Sequence, residues 1–156
     1  MKKNREEKGK NMMVYKMIIF IHVVSAVAAI GPLFSIFPIL KRMEKAEERD
    51  IKGMVEGLRG VVRAVSLGGH VLIISGIALI WLSGWSWKTP WVLATIILLI
   101  ASLFFLAKAF KPAWRIAEAD YFHKETFIAV MKRAAILYIT IMLMMLWLMV
   151  VKPQLW

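Results

Sequence analysis

Residues 64–82 read AVSLGGHVLIISGIALIWL, nineteen residues without a formal charge. As an α-helix this stretch is about 28 Å long, close to the ~30 Å hydrocarbon core of a bilayer. Polar and apolar residues do not alternate along it, so a strand of a membrane barrel is a poor reading. Three further runs share its character. Val14 to Leu40 is broken only by Lys16; Trp91 to Ala107 is followed by Lys108, placed to snorkel; Ala134 to Val151 is stopped by Lys152-Pro153. Each is about as long as a membrane helix requires. The expected fold class is therefore all-α, an integral membrane up-down four-helix bundle. A single domain covers 1–156, with spans at about 14–40, 64–82, 91–110 and 134–151.

Composition agrees. Of the 156 residues, 60% are apolar and 20% charged, and the mean hydropathy is +0.68. Soluble domains are nearer half apolar and a quarter charged. An ordinary water-soluble enzyme, a disordered chain and a collagen-like chain are all excluded. The absence of cysteine excludes disulfide scaffolds, iron–sulfur sites and thiol nucleophiles. A net charge of +11 could suggest nucleic acid in a soluble protein. Here the basic residues flank apolar runs, so the partners expected are the lipid bilayer and its anionic headgroups, not nucleic acid.

The first run exceeds what a bilayer needs. Gly31-Pro32 and Pro38 offer a way to absorb the excess: Pro32 cannot donate to the Ala28 carbonyl, which predicts a kink. Ala26-Val27-Ala28 resembles a signal-peptide cleavage site, but apolar sequence continues to Leu40, so the run reads as a retained span. Residues 41–63 form a charged linker compatible with a helical extension of span two. Trp81, Trp85, Trp87 and Trp91 surround the short 83–90 link and mark an interfacial aromatic belt.

Four spans place both termini and the 83–90 loop on one side, with eight Lys and Arg residues; loops 41–63 and 108–133 carry thirteen. Positive residues favour the cytoplasm. The expectation is a multi-pass protein of the cell membrane with termini outside and the two basic loops cytoplasmic. The basic N-terminal tail, Lys2 to Lys16, pulls the other way.

The three histidines are the residues most suggestive of chemistry. His22 lies inside span one and His70 inside span two. An imidazole at membrane depth requires a partner and is a functional candidate by default. Counting from span ends places the two rings at similar depths, with small residues beside both: Ser25, Ala26 and Ala29 near His22, Ser66 and Gly69 near His70. Two facing imidazoles could ligate iron of haem b, and Lys16 could meet a propionate. The bland alternative is that each ring hydrogen-bonds to a serine or a backbone carbonyl. His123, near Glu118, Asp120 and Glu125, reads as interfacial and solvated. Met142, Met145 and Met149 share a face of span four; they suit core packing, with copper handling as the sharper alternative. Gly68-Gly69 reads as helix packing, and no span carries Asp or Glu.

Ile21-His22-Val23-Val24-Ser25-Ala26 with Gly31, then Ser75-Gly76, then Pro90-Trp91, resemble the bacterial family of four-span proteins described only as predicted integral membrane proteins. More distantly, the early His followed by Gly and Pro is similar to protoporphyrinogen oxidase of the HemJ type and to copper-resistance D membrane domains. The HemJ-type resemblance implies haem ligation at His22. The chain departs from that pattern in having no His in spans three or four and no Arg directly after Pro38. The leading expectation is a small membrane haem protein serving electron transfer or haem handling, with metal ligands His22 and His70. A cofactor-free accessory or assembly subunit, with a membrane protein partner or as a homo-oligomer, is the second class, and copper handling the third.

Overall fold

The computed structural model describes residues 2–84, 86, 88–119 and 121–153. Trp85 and Trp87 of the expected aromatic belt, and Asp120 near His123, lie outside them. The elements are α1 (Lys2–Ile30), a 3-10 segment (Gly31–Ser35), α2 (Ile36–Lys45), α3 (Glu48–Ser83), α4 (Pro90–Ala109), α5 (Lys111–Ala117) and α6 (Lys124–Val151). Among the described residues there is no strand. Four helical stretches are long and apolar enough to cross a membrane: Met12–Lys45, Glu48–Ser83, Pro90–Ala117 and Lys124–Val151. The architecture is an all-α membrane bundle.

Local chemistry explains the breaks. At Gly31-Pro32 the missing proline N–H interrupts the α-helical ladder, and the chain tightens into the 3-10 segment before resuming as α2. Pro38 falls in the first turn of α2, where a missing donor is tolerated. The charged linker after Lys45 breaks only at Ala46-Glu47 and is otherwise helical, because α3 runs unbroken from Glu48 into the apolar span. Gly84 ends α3 with φ +71°, the left-handed conformation that glycine adopts without steric penalty.

The helices associate as two pairs. α1 packs along α3, while α6 packs against α4, α5 and α2. Since α2 continues from α1, it joins the two pairs at the basic-loop end. There the core is dense: Leu40, Met43, Leu58, Phe110, Ala113, Phe127 and Met131 are all buried. Arg59 adds a polar tie, with Nη2 donating to Glu118 Oε1 at 2.6 Å and the guanidinium 5.4 Å from the Trp114 ring centroid. Lys124 Nζ donates to the Glu44 carbonyl at 3.1 Å, satisfying an acceptor at the end of α2. α6 is the most enclosed span, with 39% of its apolar window buried against 17–22% for the other three. Its Tyr138 stacks on Phe105 of α4, with ring centroids 6.3 Å apart.

Large apolar side chains cover the outside. Met13, Phe20, Val27, Leu67, Ile74, Phe104, Trp147 and Val150 are all exposed. In water such continuous apolar surface would drive association; against lipid tails it is the ordinary exterior of a membrane protein.

α1 and α3 approach each other closely at Gly68. A Cβ there would sit 2.9 Å from the Ala29 nitrogen and 3.0 Å from the Ala28 carbonyl carbon. These are backbone atoms, so relief would require α1 to move away from α3. A Cβ on Gly69, by contrast, would have nothing within 4 Å. Gly68→Ala should lower stability in detergent by about 1–3 kcal/mol, the usual range for overpacking. Gly69→Ala should be neutral or slightly stabilising, because alanine is the better helix former. Thermal unfolding of both variants checks the difference.

Candidate functional site

The Gly68 crossing sets the register of α1 on α3. Seven residues back along α1 from Ala29 is His22, and seven residues on along α3 from Gly68 is Ser75. The two meet: His22 Nδ1 lies 2.9 Å from Ser75 Oγ. Gly76 makes room for the ring, since a Cβ there would be 3.3 Å from His22 Cε1 and 3.8 Å from Nδ1. Ser25 Oγ donates back to the His22 carbonyl at 2.8 Å, one turn along the buried face of α1.

The hydrogen bonds define the tautomer. Ser75 Oγ donates to the Val71 carbonyl at 2.8 Å, with the Leu72 carbonyl at 3.1 Å. A hydroxyl carries one proton, and carbonyl oxygens only accept. Ser75 therefore accepts from His22, whose proton resides on Nδ1. That leaves Nε2 with its lone pair. An imidazole that donates from Nδ1 to a neighbouring side chain is oriented as ligating histidines usually are.

His22 lines a cavity of about 540 Å³ that lies between the two helix pairs, at the end away from α2. Each wall is a helical stripe: Tyr15, Ile19 and His22 on α1; Ile73, Gly76, Ile77 and Ile80 on α3; Trp91, Thr95 and Leu99 on α4; Met149 and Lys152 on α6. The volume is within the range of small-molecule sites, and the lining is mainly aliphatic with few polar groups, as such sites are. Ser83, Trp91 and Lys152 lie at helix ends and, with Tyr15 near the start of the Met12–Lys45 span, form the rim. Lys152 Nζ is 5.6 Å from the Trp91 ring centroid.

The other candidate residues lie elsewhere. His70 is exposed on α3 and bonds its own helix, with Nδ1 2.6 Å from the Ser66 carbonyl oxygen. It is five residues before Ser75, about 7.5 Å along the axis, so the two imidazoles are not brought into one site. Lys16 is exposed and its neighbour Tyr15 lines the cavity instead. His123 precedes α6 and lines a separate polar cavity of about 720 Å³ at the basic-loop end, with Arg59, Lys52 and Glu56. Met142 and Met145 are buried in the core, whereas Met149 lines the His22 cavity. Among the described residues, no three His, Asp or Glu side chains group as a metal site. Thr95, Trp91, Met149 and Lys152 carried no cavity signal in sequence, because only the packing of α4 and α6 brings them beside α1.

The fold and cavity define a multi-pass helical membrane protein with a pocket between its apolar helices. The chain belongs to the predicted integral membrane protein family DUF2269, whose family model matches residues 16–153. No curated protein and no solved structure matches it. His22, Ser75-Gly76 and Trp91, scattered in the chain, all bear on this one place.

Removing the serine hydroxyl leaves the His22 Nδ1–H without its acceptor. Ser75→Ala should destabilise the protein by about 1–3 kcal/mol, the range for a buried unsatisfied donor. His22→Leu on top of Ser75→Ala should recover part of that loss, since both partners are then apolar. A double-mutant cycle on unfolding in detergent reads the coupling.

Proposed function

We propose that this protein binds an apolar or amphipathic small molecule within the membrane, in the cavity at His22. The observation that carries the reading is the pairing of an aliphatic cavity of about 540 Å³ with one oriented imidazole. A polar ring at this depth in hydrocarbon is held by a dedicated serine and seated on a glycine. Packing alone would be served more simply by leucine. Accordingly, organic extracts of the purified protein should contain a stoichiometric small molecule. Ile96 of α4 also lines the cavity, and Ile96→Trp, which fills it, should abolish retention of the molecule while leaving the protein folded. Equal retention by both proteins, read by mass spectrometry of the extracts, would refute the assignment.

A second reading has its own support. Haem iron accepts an imidazole nitrogen bearing a lone pair, and a thioether is a known companion ligand. His22 Nε2 offers the first and Met149, on the α6 wall of the same cavity, the second. In this reading haem b is held by His22 without His70. Protein produced with ample haem should show a Soret band that His22→Ala removes and His70→Ala preserves. A colourless preparation that retains an organic ligand favours the first reading.

The location is the cell membrane, with the 41–63 and 108–133 loops in the cytoplasm and both termini outside, supported by the Lys and Arg excess in those loops. Reporter fusions at residue 50 and after residue 153 should report cytoplasmic and external positions respectively.

A further inference from the structure

The polar atoms inside the cavity share one property: they accept hydrogen bonds and have no proton to give. His22 Nδ1–H is committed to Ser75, which leaves Nε2 as an acceptor. Ser75, behind the ring, has committed its own proton to the α3 backbone. Thr95, on the facing wall, donates its hydroxyl proton to the Trp91 carbonyl at 2.7 Å, so its remaining capacity is also lone pairs. Serine and threonine in apolar helices commonly bond to a carbonyl of the preceding turn, because no water is present to compete. Donors belonging to the cavity occur at its rim, in Tyr15, Trp91 and Lys152. His22 is seven residues inward from Tyr15, about 10 Å along α1.

We infer that the cavity selects a ligand that brings the donor: a molecule apolar over most of its surface and carrying a hydroxyl, as a long-chain alcohol, a phenol or a quinol does. This deepens the ligand-binding reading above and rests on it. The ligand hydroxyl donates to His22 Nε2 in the cavity that Thr95 also lines, while the tail lies along the aliphatic stripes of α3 and α4. An ether, ester or quinone of the same shape presents oxygen lone pairs to lone pairs. It must leave them unpaired in a low-dielectric site, which is where an unmade hydrogen bond is most costly.

The test uses the full chain in phosphatidylcholine nanodiscs, titrated with para-nonylphenol and with its methyl ether, para-nonylanisole, while thermal unfolding is followed. The phenol should raise the midpoint saturably and bind about three- to tenfold more tightly than the ether, the factor expected of one net buried hydrogen bond. His22→Phe should bring the two affinities together, and Thr95→Val should narrow the gap. The comparison on the unmodified protein stands even where a variant does not fold. Equal binding of phenol and ether overturns the acceptor-wall inference but leaves the cavity as a ligand site. Binding of neither overturns both. A preference for the phenol that survives His22→Phe overturns the role given to the imidazole.

Discussion

The crossing of α1 and α3 at Gly68 is the contact on which the rest of the structure depends. There the backbone of Ala28–Ala29 lies where any side chain on residue 68 would be. Between membrane helices there is little hydrophobic force, because lipid tails are as apolar as leucine; close backbone approach and dispersion take its place. The contact also fixes axial register. With Gly68 against Ala29, the antiparallel pair has no choice but to bring His22 to Ser75 and Gly76. A shift of one residue along either helix would rotate the imidazole by about 100°, out of reach of the serine.

The cavity follows from an imbalance between the two ends of the bundle. At the basic-loop end α2 bridges the helix pairs, and Met43, Leu58, Phe110, Phe127 and Met131 fill the space between them. Toward the rim no helix among the described residues bridges the two pairs, and the residues on α3 and α4 that line the cavity include the small Gly76 and Thr95. The same end carries the buried polar residues Ser25, Ser75 and Thr95. Dense packing at one end thus holds the helices apart at fixed positions at the other, and a pocket persists where the side chains are small.

Hydrogen bonding inside the bundle is largely settled within single helices. Ser25, Ser75, Thr95, Ser102 and Thr140 each donate to a carbonyl three or four residues earlier. Away from the Lys124 and Arg59 ties at the basic-loop end, the hydrogen bond among the described residues that links two apolar spans is His22 with Ser75. It stands out because it joins two helices where the other hydroxyls serve only their own. His70 illustrates the contrast, since its ring is satisfied by the Ser66 carbonyl of its own helix and has no second helix to recognise.

Helix number, helix type and membrane residence were legible in the chain, because the run lengths of 14–40, 64–82, 91–107 and 134–151 match a bilayer thickness and depend on no tertiary contact. An interruption at Pro32 was legible as an expected kink for the same local reason, though not its 3-10 form over Gly31–Ser35. His22 could be named as a candidate from the rarity of imidazole in hydrocarbon, and Gly68 as a packing residue from its surroundings. What the chain could not show is which side chains meet. Counting from span ends put His22 and His70 at one depth, yet the helices extend beyond their apolar runs, and register is set by Gly68 on Ala29, not by the ends. The choice of His22 over His70, the tautomer of its ring, and the arrival of Thr95 and Met149 at the same pocket were decided by tertiary structure alone. Run length and hydropathy are sums over local residues, whereas a site depends on rotation and axial offset between helices, which only interhelical contact can specify.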